Sequence, residues 1–402
     1  MVDVVIVGAG ASGLIAAIVA ARRGKSILIL EKNSKVGKKL LATGNGRCNI
    51  SNIRPTPERF YSQNPKFIHQ VLNGYGYQAI KQFFRSIGLE LIEAKEGRVF
   101  PMSLQASSVV DLLLFECEQL GVKIVCESIV QSIINKNGQF IVIHDQGKEV
   151  CQKVVLATGH QSAPQLGGVL DGLSLAKQLG HHIIQGYPAL VQLTSPMPKL
   201  KRIAGVKVEG RVTLHSKQGT IQKQGDILFT NYGLSGLATL DISRFVMEEL
   251  KHKSTVILKL DLMPKINHEQ LIALMKKSLR KKSQKPLEIW LQGFIHRKLI
   301  SFLLDPLKLP KLVESEIRVE HITKIVEQVK NLSFSINGSR GYRGAEVATG
   351  GVDTHEVEPQ TMESKKQKGL YLTGELLDVD GDRGGFNLHF AWTTGIRTAE
   401  AL

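Results

Sequence analysis

Cysteine is scarce in this chain and widely scattered: Cys48, Cys117, Cys126 and Cys151 are the only four among 402 residues. Their spacing excludes a disulfide framework and a zinc-ligand pattern. It also excludes a C-x4-C dithiol relay at Cys48, whose partner would fall on Ile53. A reducing compartment, the cytoplasm, suits such thiols. Long apolar runs are missing too. The one long uncharged run, Val4 to Ala21, is broken by Gly8, Gly10, Ser12 and Gly13 and follows no cationic segment. It therefore reads as neither a signal nor a membrane span.

Acid is in short supply: 52 Lys and Arg face 36 Asp and Glu, for a net charge of +16. Between residues 251 and 311 fourteen cationic residues meet four acidic ones. Such a patch attracts nucleic acid or an anionic surface through counterion release. A solvated helical face carries the same charges, and within 276–285 no aromatic residue is interleaved with the cations to stack bases. Repeats of 20 to 50 residues and low-complexity segments are absent as well.

What is present begins with enough apolar content, 43%, to bury the cores of two or three compact units. DVVIVGAG reads as a parallel strand covered on both faces, SGLIAAIVAARRG as a helix stopped at Gly24, and SILILEK as the next strand. Residues 65–88 and 106–121 have helical periodicity. Residues 123–150 read as strands with turns at Asn137-Gly138 and Gln146-Gly147, and KVVLATG as another buried strand. After Pro188 short strands with turn residues predict a β-rich unit to about Leu262, followed by lysine-rich helices to about Lys330. GLYLTGELLDV then predicts a strand and NLHFAWTTGIRTAEAL a final helix.

Gly8-x-Gly10-x-x-Gly13 sits between a strand and a helix, and Glu31 ends the next strand. In that context Gly8 permits a tight turn, Gly10 lets backbone approach a diphosphate, and Gly13 lets helix and strand pack closely. Glu31 would accept from ribose hydroxyls, which favours FAD or NAD over a 2′-phosphorylated nucleotide. Two later segments decide for FAD: the strand ending in Ala157-Thr158-Gly159, and the late strand ending in Gly374-Glu375. No second glycine fingerprint provides a separate nicotinamide domain.

The segments GKKLLATGNGRCNISN, VVLATGHQSAPQLG, GDILFTNYGLSG, GAEVATGGVDT and GLYLTGELLDVDGDRGGFNLHFAWTTG carry a closer likeness. Through them the chain resembles the NAD(P)/FAD-dependent oxidoreductases of the YhiN type, a family that includes an aminoacetone oxidase and the BaiN bile-acid reductase. The resemblance implies an α/β protein: a Rossmann-like FAD-binding domain of the two-dinucleotide-binding-domain type, interrupted by a β-barrel-like insert with a small helical subdomain. The boundaries then fall at 1–188, 189–263, 264–331 and 332–402. Non-covalent FAD would be held by Gly8, Gly10, Ser12 and Gly13, by Glu31, Lys32 and Lys39, and by Gly44, Gly46, Arg47, Cys48 and Asn49. Val130, Ala157, Thr158, Gly159, Gly374 and Glu375 complete the set, with Gly384, Gly385, Phe386 and Asn387 at the start of the last helix turning its dipole toward the flavin.

Departures from the family bear on chemistry. Thr230-Asn231 stands where Thr-His is common, Leu237 where Pro is common, and His160 and His389 take positions that other residues often fill. His389, Asn231, His160 and Arg343 are therefore the candidate reactive side chains, with Tyr342 and Glu346 beside Arg343 as candidate pocket groups. His389 faces either the flavin or the first turn of its own helix. Cys48 reads as a packing residue in the loop covering the flavin, the alternative being a lone thiol with a lowered pKa. Asp378, Asp380 and Asp382 resemble the start of a calcium loop, but Arg383 and His389 fill its sixth and twelfth positions, so no metal is expected. His181 and His182 read as structural.

These readings converge on an oxidoreductase that moves a hydride between a small organic substrate and flavin N5, with substrate entering beside the β-rich insert and O2 or transient NAD(P)H as the electron partner. The alternatives are a flavoprotein that binds or modifies RNA through the 251–311 patch, and a flavin-bound regulatory protein without turnover.

Overall fold

The computed structural model describes residues 2–216 and 219–402 and divides into two compact units. Residues 1–187 with 346–402 form the first, and residues 188–345 the second.

In the first unit Val2–Val7 lies between Ile27–Leu30 and the second half of Gly147–Leu156, all parallel, with Lys123–Val125 beyond one side and Leu370–Leu372 on the other. Alternation between two covered faces explains why residues 4–7 and Ile27–Leu30 are apolar at every position. Val4 and Ile6 join one core with the helix Ala11–Arg22 and the helix Ala106–Gln119. Val5 and Val7 join the other with Phe67, Val71 and Phe390. The first half of Gly147–Leu156 turns to antiparallel pairing with Gln139–His144, which pairs in turn with Val130–Lys136. The second of those turns falls on Asp145 and Gln146, one residue earlier than the sequence suggests. The helical stretch 65–88 is two helices, Pro65–Leu72 and Tyr77–Ser86, separated at Asn73–Gly76.

The second unit is built on a sheet in which Lys207–Ser216 pairs along its length with Gly219–Phe229 and, on its other side, with Val256–Asp261. Seven strands follow one another in an open order, and among the described residues no ladder joins its two end strands, so a closed barrel is not seen. Leu332–Ile336 pairs with Val256–Asp261. Residues 332–345, assigned from sequence to the returning FAD domain, therefore belong to the insert. The segment read as β-rich also holds a helix that the sequence reading did not include, Leu237–Leu250. Ala238, Ile242 and Val246 recur at four-residue intervals and are fully buried on the sheet. Leu237 opens this helix, a first-turn position where proline is equally at home. The helices His268–Ser278, Leu287–Leu291, Arg297–Leu304 and Val319–Lys330 complete the unit.

Candidate cofactor site

The glycine turn is sterically determined. A Cβ on Gly13 would lie 2.0 Å from the Gly8 carbonyl oxygen, and one on Gly8, at φ +105°, would lie 2.6 Å from that of Ala157. Both positions are closed to any side chain. Gly10 is different: nothing lies within 4 Å of its Cβ position, nor of those of Gly46 and Gly159. At Gly10, on the turn that enters the helix Ala11–Arg22, that open space leaves the backbone free for a diphosphate to approach. Glu31 is buried, and its Oε2 accepts from Ala9 N at 2.7 Å while Oε1 accepts from Asn33 N and Nδ2. The carboxylate therefore also builds the turn it was expected only to serve.

A second cluster lies between segments remote in sequence. Lys39 Nζ donates to Glu375 Oε2 at 2.6 Å and to Ser162 Oγ at 2.5 Å. Ser162 Oγ donates to Glu375 Oε1 at 2.7 Å, and Ala348 N donates to the same oxygen. Burial acts to raise the Glu375 carboxyl, but Lys39, His160 and Ser162 outweigh it and hold the carboxyl below its usual value. Burial pushes the His160 imidazole down, against the attraction of Glu375. His160 Nδ1 accepts from Gln161 N, which orients the ring. Ser162 escaped the sequence reading because no motif marks it; it follows the Ala-Thr-Gly strand end by three residues and is fully buried.

The glycine loop at 44–52 is fastened to the last helix, Phe386–Ala401. Asn52 Nδ2 donates to Gly384 O, Ser51 Oγ pairs with His389 Nδ1 at 2.9 Å, and Trp392 Nε1 donates to Ile50 O. Asn387 spends its amide on Gly381, leaving its helix end to present backbone N–H groups. Ser51 and Asn52 were not anticipated. His389 is wholly buried with both ring nitrogens engaged, the second with Tyr75 O, and burial pushes it down to about 4. It locks the loop to the helix and has no nitrogen left for substrate.

Cys48 is also wholly buried, at φ 57°, and burial pushes its thiol up to about 11. A depressed, reactive thiolate is the opposite of this environment. Its side chain, like that of Phe386, offers no surface to a cofactor; both support the loop and the helix from within. Lys32 pairs with Asp171, Arg47 stacks over Phe100, and Asn49 Oδ1 accepts from Val99 N. Val130, Ala157 and Gly374 are buried within the first unit, and Ser12 Oγ accepts from Thr373. His181 is structural, clamped between Glu356 and Ser364.

The remaining candidates come from other segments. Asn231 is exposed in a turn of the second unit closed by Thr230 N donating to Gly233 O. Tyr342 and Arg343 occupy the short helix Gly341–Gly344 of that unit, whereas Glu346 begins the return to the first. Among the described residues no helix is long and apolar enough to cross a membrane.

These features have relatives. A 3-dehydro-bile acid delta(4,6)-reductase from Clostridium scindens is 34% identical over 400 residues, covering 98% of both chains. A ribosomal RNA dihydrouridine synthase from Haemophilus influenzae is 31% identical over 404 residues, 99% of this chain and 98% of that one. The structure of a 3-ketosteroid delta1-dehydrogenase from Sterolibacterium denitrificans superposes with a TM-score of 0.55 at 14% identity, over 99% of this chain and 98% of that one, a likeness of fold. The HI0933-like protein Rossmann domain matches residues 2–401, and the chain belongs to that family of FAD-dependent oxidoreductases.

Proposed function

We propose that this protein reduces a carbon–carbon double bond conjugated with a carbonyl group in a small organic substrate. The observation that carries this reading is the glycine turn of the first unit, at which Gly10 borders open space, together with the Lys39, Glu375 and Ser162 cluster of the same unit. Bound FAD would supply the hydride. The names of the bile-acid reductase and the dihydrouridine synthase both describe saturation of such a bond, in very different molecules. Gly10 and the N-terminus of Ala11–Arg22 would hold the diphosphate, and Glu31 the ribose. The orphan N–H groups at Gly385 to Asn387 would stabilise negative charge arriving on the cofactor's edge. Transient NADH or NADPH would return two electrons to the flavin and so complete the electron balance. Four free cysteines fit a reducing, cytoplasmic setting.

The test is to reduce the FAD-loaded protein anaerobically with NADH or NADPH, then mix it with a 3-keto-4,6-diene bile acid or another enone. The expected result is flavin reoxidation with a product carrying two more hydrogens. Reoxidation by O2 alone, with every enone recovered unchanged, overturns it. A second reading, in which the bond lies in a uracil base of RNA, is supported by one observation: the cationic side chains of 276–285 are exposed.

A further inference from the structure

The lysine-rich stretch is a shaped loop built around a carboxylate. Residues 279–286 join the helix His268–Ser278 to the helix Leu287–Leu291. Beneath them lies Glu314, 1% exposed, whose Oε1 accepts from Arg280 N at 2.9 Å. Lys285 Nζ lies 3.4 Å from its Oε2. The Ser283 hydroxyl holds the Glu314 carboxyl below its usual value, so the charge persists at neutral pH. Backbone bonds tie the same two segments: Glu314 N donates to Lys285 O, Ser315 N to Ser283 O, and Leu287 N to Leu312 O. Pro286 bridges Val313, which brings Lys311 alongside.

One buried anion thus organises the loop, and of the loop's cations only Lys285 is paired with it. Lys276, Lys277, Arg280, Lys281 and Lys282 are all exposed, and among the described residues none has a carboxylate within 4 Å. A merely solvated face would be laced with opposite charges, as i,i+4 pairs are elsewhere in this unit at Lys253–Glu249. Holding like charges together costs free energy unless a polyanion neutralises them.

We propose that the loop 280–285, with Lys276, Lys277 and Lys311, is a docking surface for the phosphate backbone of folded RNA, and that Glu314 is the residue positioning it. This rests on the RNA reading above and not on the flavin chemistry. Backbone phosphate is the fitting partner because the loop carries cations without aromatic rings for unstacked bases. The charges also come from a helix end, a loop and a facing segment, and not from the single face of an amphipathic helix that a membrane surface would favour.

The experiment measures binding of a fluorescein-labelled stem-loop RNA to the FAD-loaded protein by anisotropy across a salt series. Lys281→Glu/Lys282→Glu is expected to weaken binding at least tenfold and to lower the salt slope by about two. Flavin absorbance and melting temperature should be unchanged. Glu314→Gln raises the net charge, so unshaped attraction predicts tighter binding; the proposal predicts weaker binding and faster amide exchange in 280–285. Should Glu314→Gln fail to fold, Ser283→Ala takes its place with the same expectation. Wild-type protein that ignores the RNA, or a double variant that binds it normally, overturns the docking surface. So does retention on phosphatidylglycerol vesicles without RNA binding, or equal competition by duplex DNA. Reduction of a free enone by the double variant keeps this outcome separate from the flavin reading.

Discussion

Lys39 and Glu375, 336 residues apart, are joined Nζ to Oε2 at 2.6 Å with Ser162 bonded to both. The pair stitches the short helix Lys38–Ala42 to the turn that follows the strand Leu370–Leu372. Their side chains are 34% and 20% exposed, so the link is neither dry nor fully screened.

Glu375→Gln should therefore cost about 1–2 kcal/mol of stability, between surface and buried ion pairs. Because the folded carboxyl is held below its unfolded value, the contribution is present above the ordinary carboxylate pKa and is lost as pH falls through the folded one. Melting temperatures of wild type and variant should differ at pH 7 and converge in acid. Parallel curves throughout would show that the pair contributes nothing.

His389 makes the same kind of prediction at higher pH. Its folded pKa, about 4, lies below the ordinary imidazole value, so the unfolded chain takes up the proton first. Stability should be full above about pH 6.5 and decline by roughly 3 kcal/mol toward pH 4. His389→Asn should start less stable and lose that part of the slope. Denaturant titrations at a series of pH values measure this, and an unchanged slope would assign the titration elsewhere.

The two glycines of the turn separate folding from cofactor binding. Gly13→Ala should destabilise the apoprotein, since its Cβ meets the Gly8 carbonyl at 2.0 Å. Gly10→Ala meets nothing, so the apoprotein should melt normally while FAD affinity falls by tenfold or more, about 1.4 kcal/mol or above. Normal FAD affinity in Gly10→Ala would move the diphosphate away from this turn.

Cysteine labelling tests the reading of Cys48. Cys126 is the one thiol of the four that is not buried and should react first with iodoacetamide at neutral pH. Cys48 should stay protected until the chain unfolds, and Cys48→Ser should keep its FAD. Rapid labelling of Cys48 in the native protein would contradict its burial.

Local sequence was enough for the glycine turn, the first two strands, the last helix and the strand ends at Gly159 and Gly374. Continuous apolar runs, helical periodicity and obligatory glycines are properties of neighbours along the chain. The helix Leu237–Leu250 was hidden because its apolar residues sit among strands and resemble them until the sheet beneath is known. The ownership of Leu332–Ile336 was decided by pairing with Val256–Asp261, a long-range ladder. Tertiary structure alone joined Lys39 to Ser162 and Glu375, set Glu31 against Ala9, and placed Glu314 under the lysine loop. It also turned His389 from a candidate reactive group into a buried support, and gave Cys48 the burial that its reading as a packing residue needs. Whether a polar side chain reacts or packs depends on the desolvation and partners that distant segments bring to it, and residue type and spacing do not encode these.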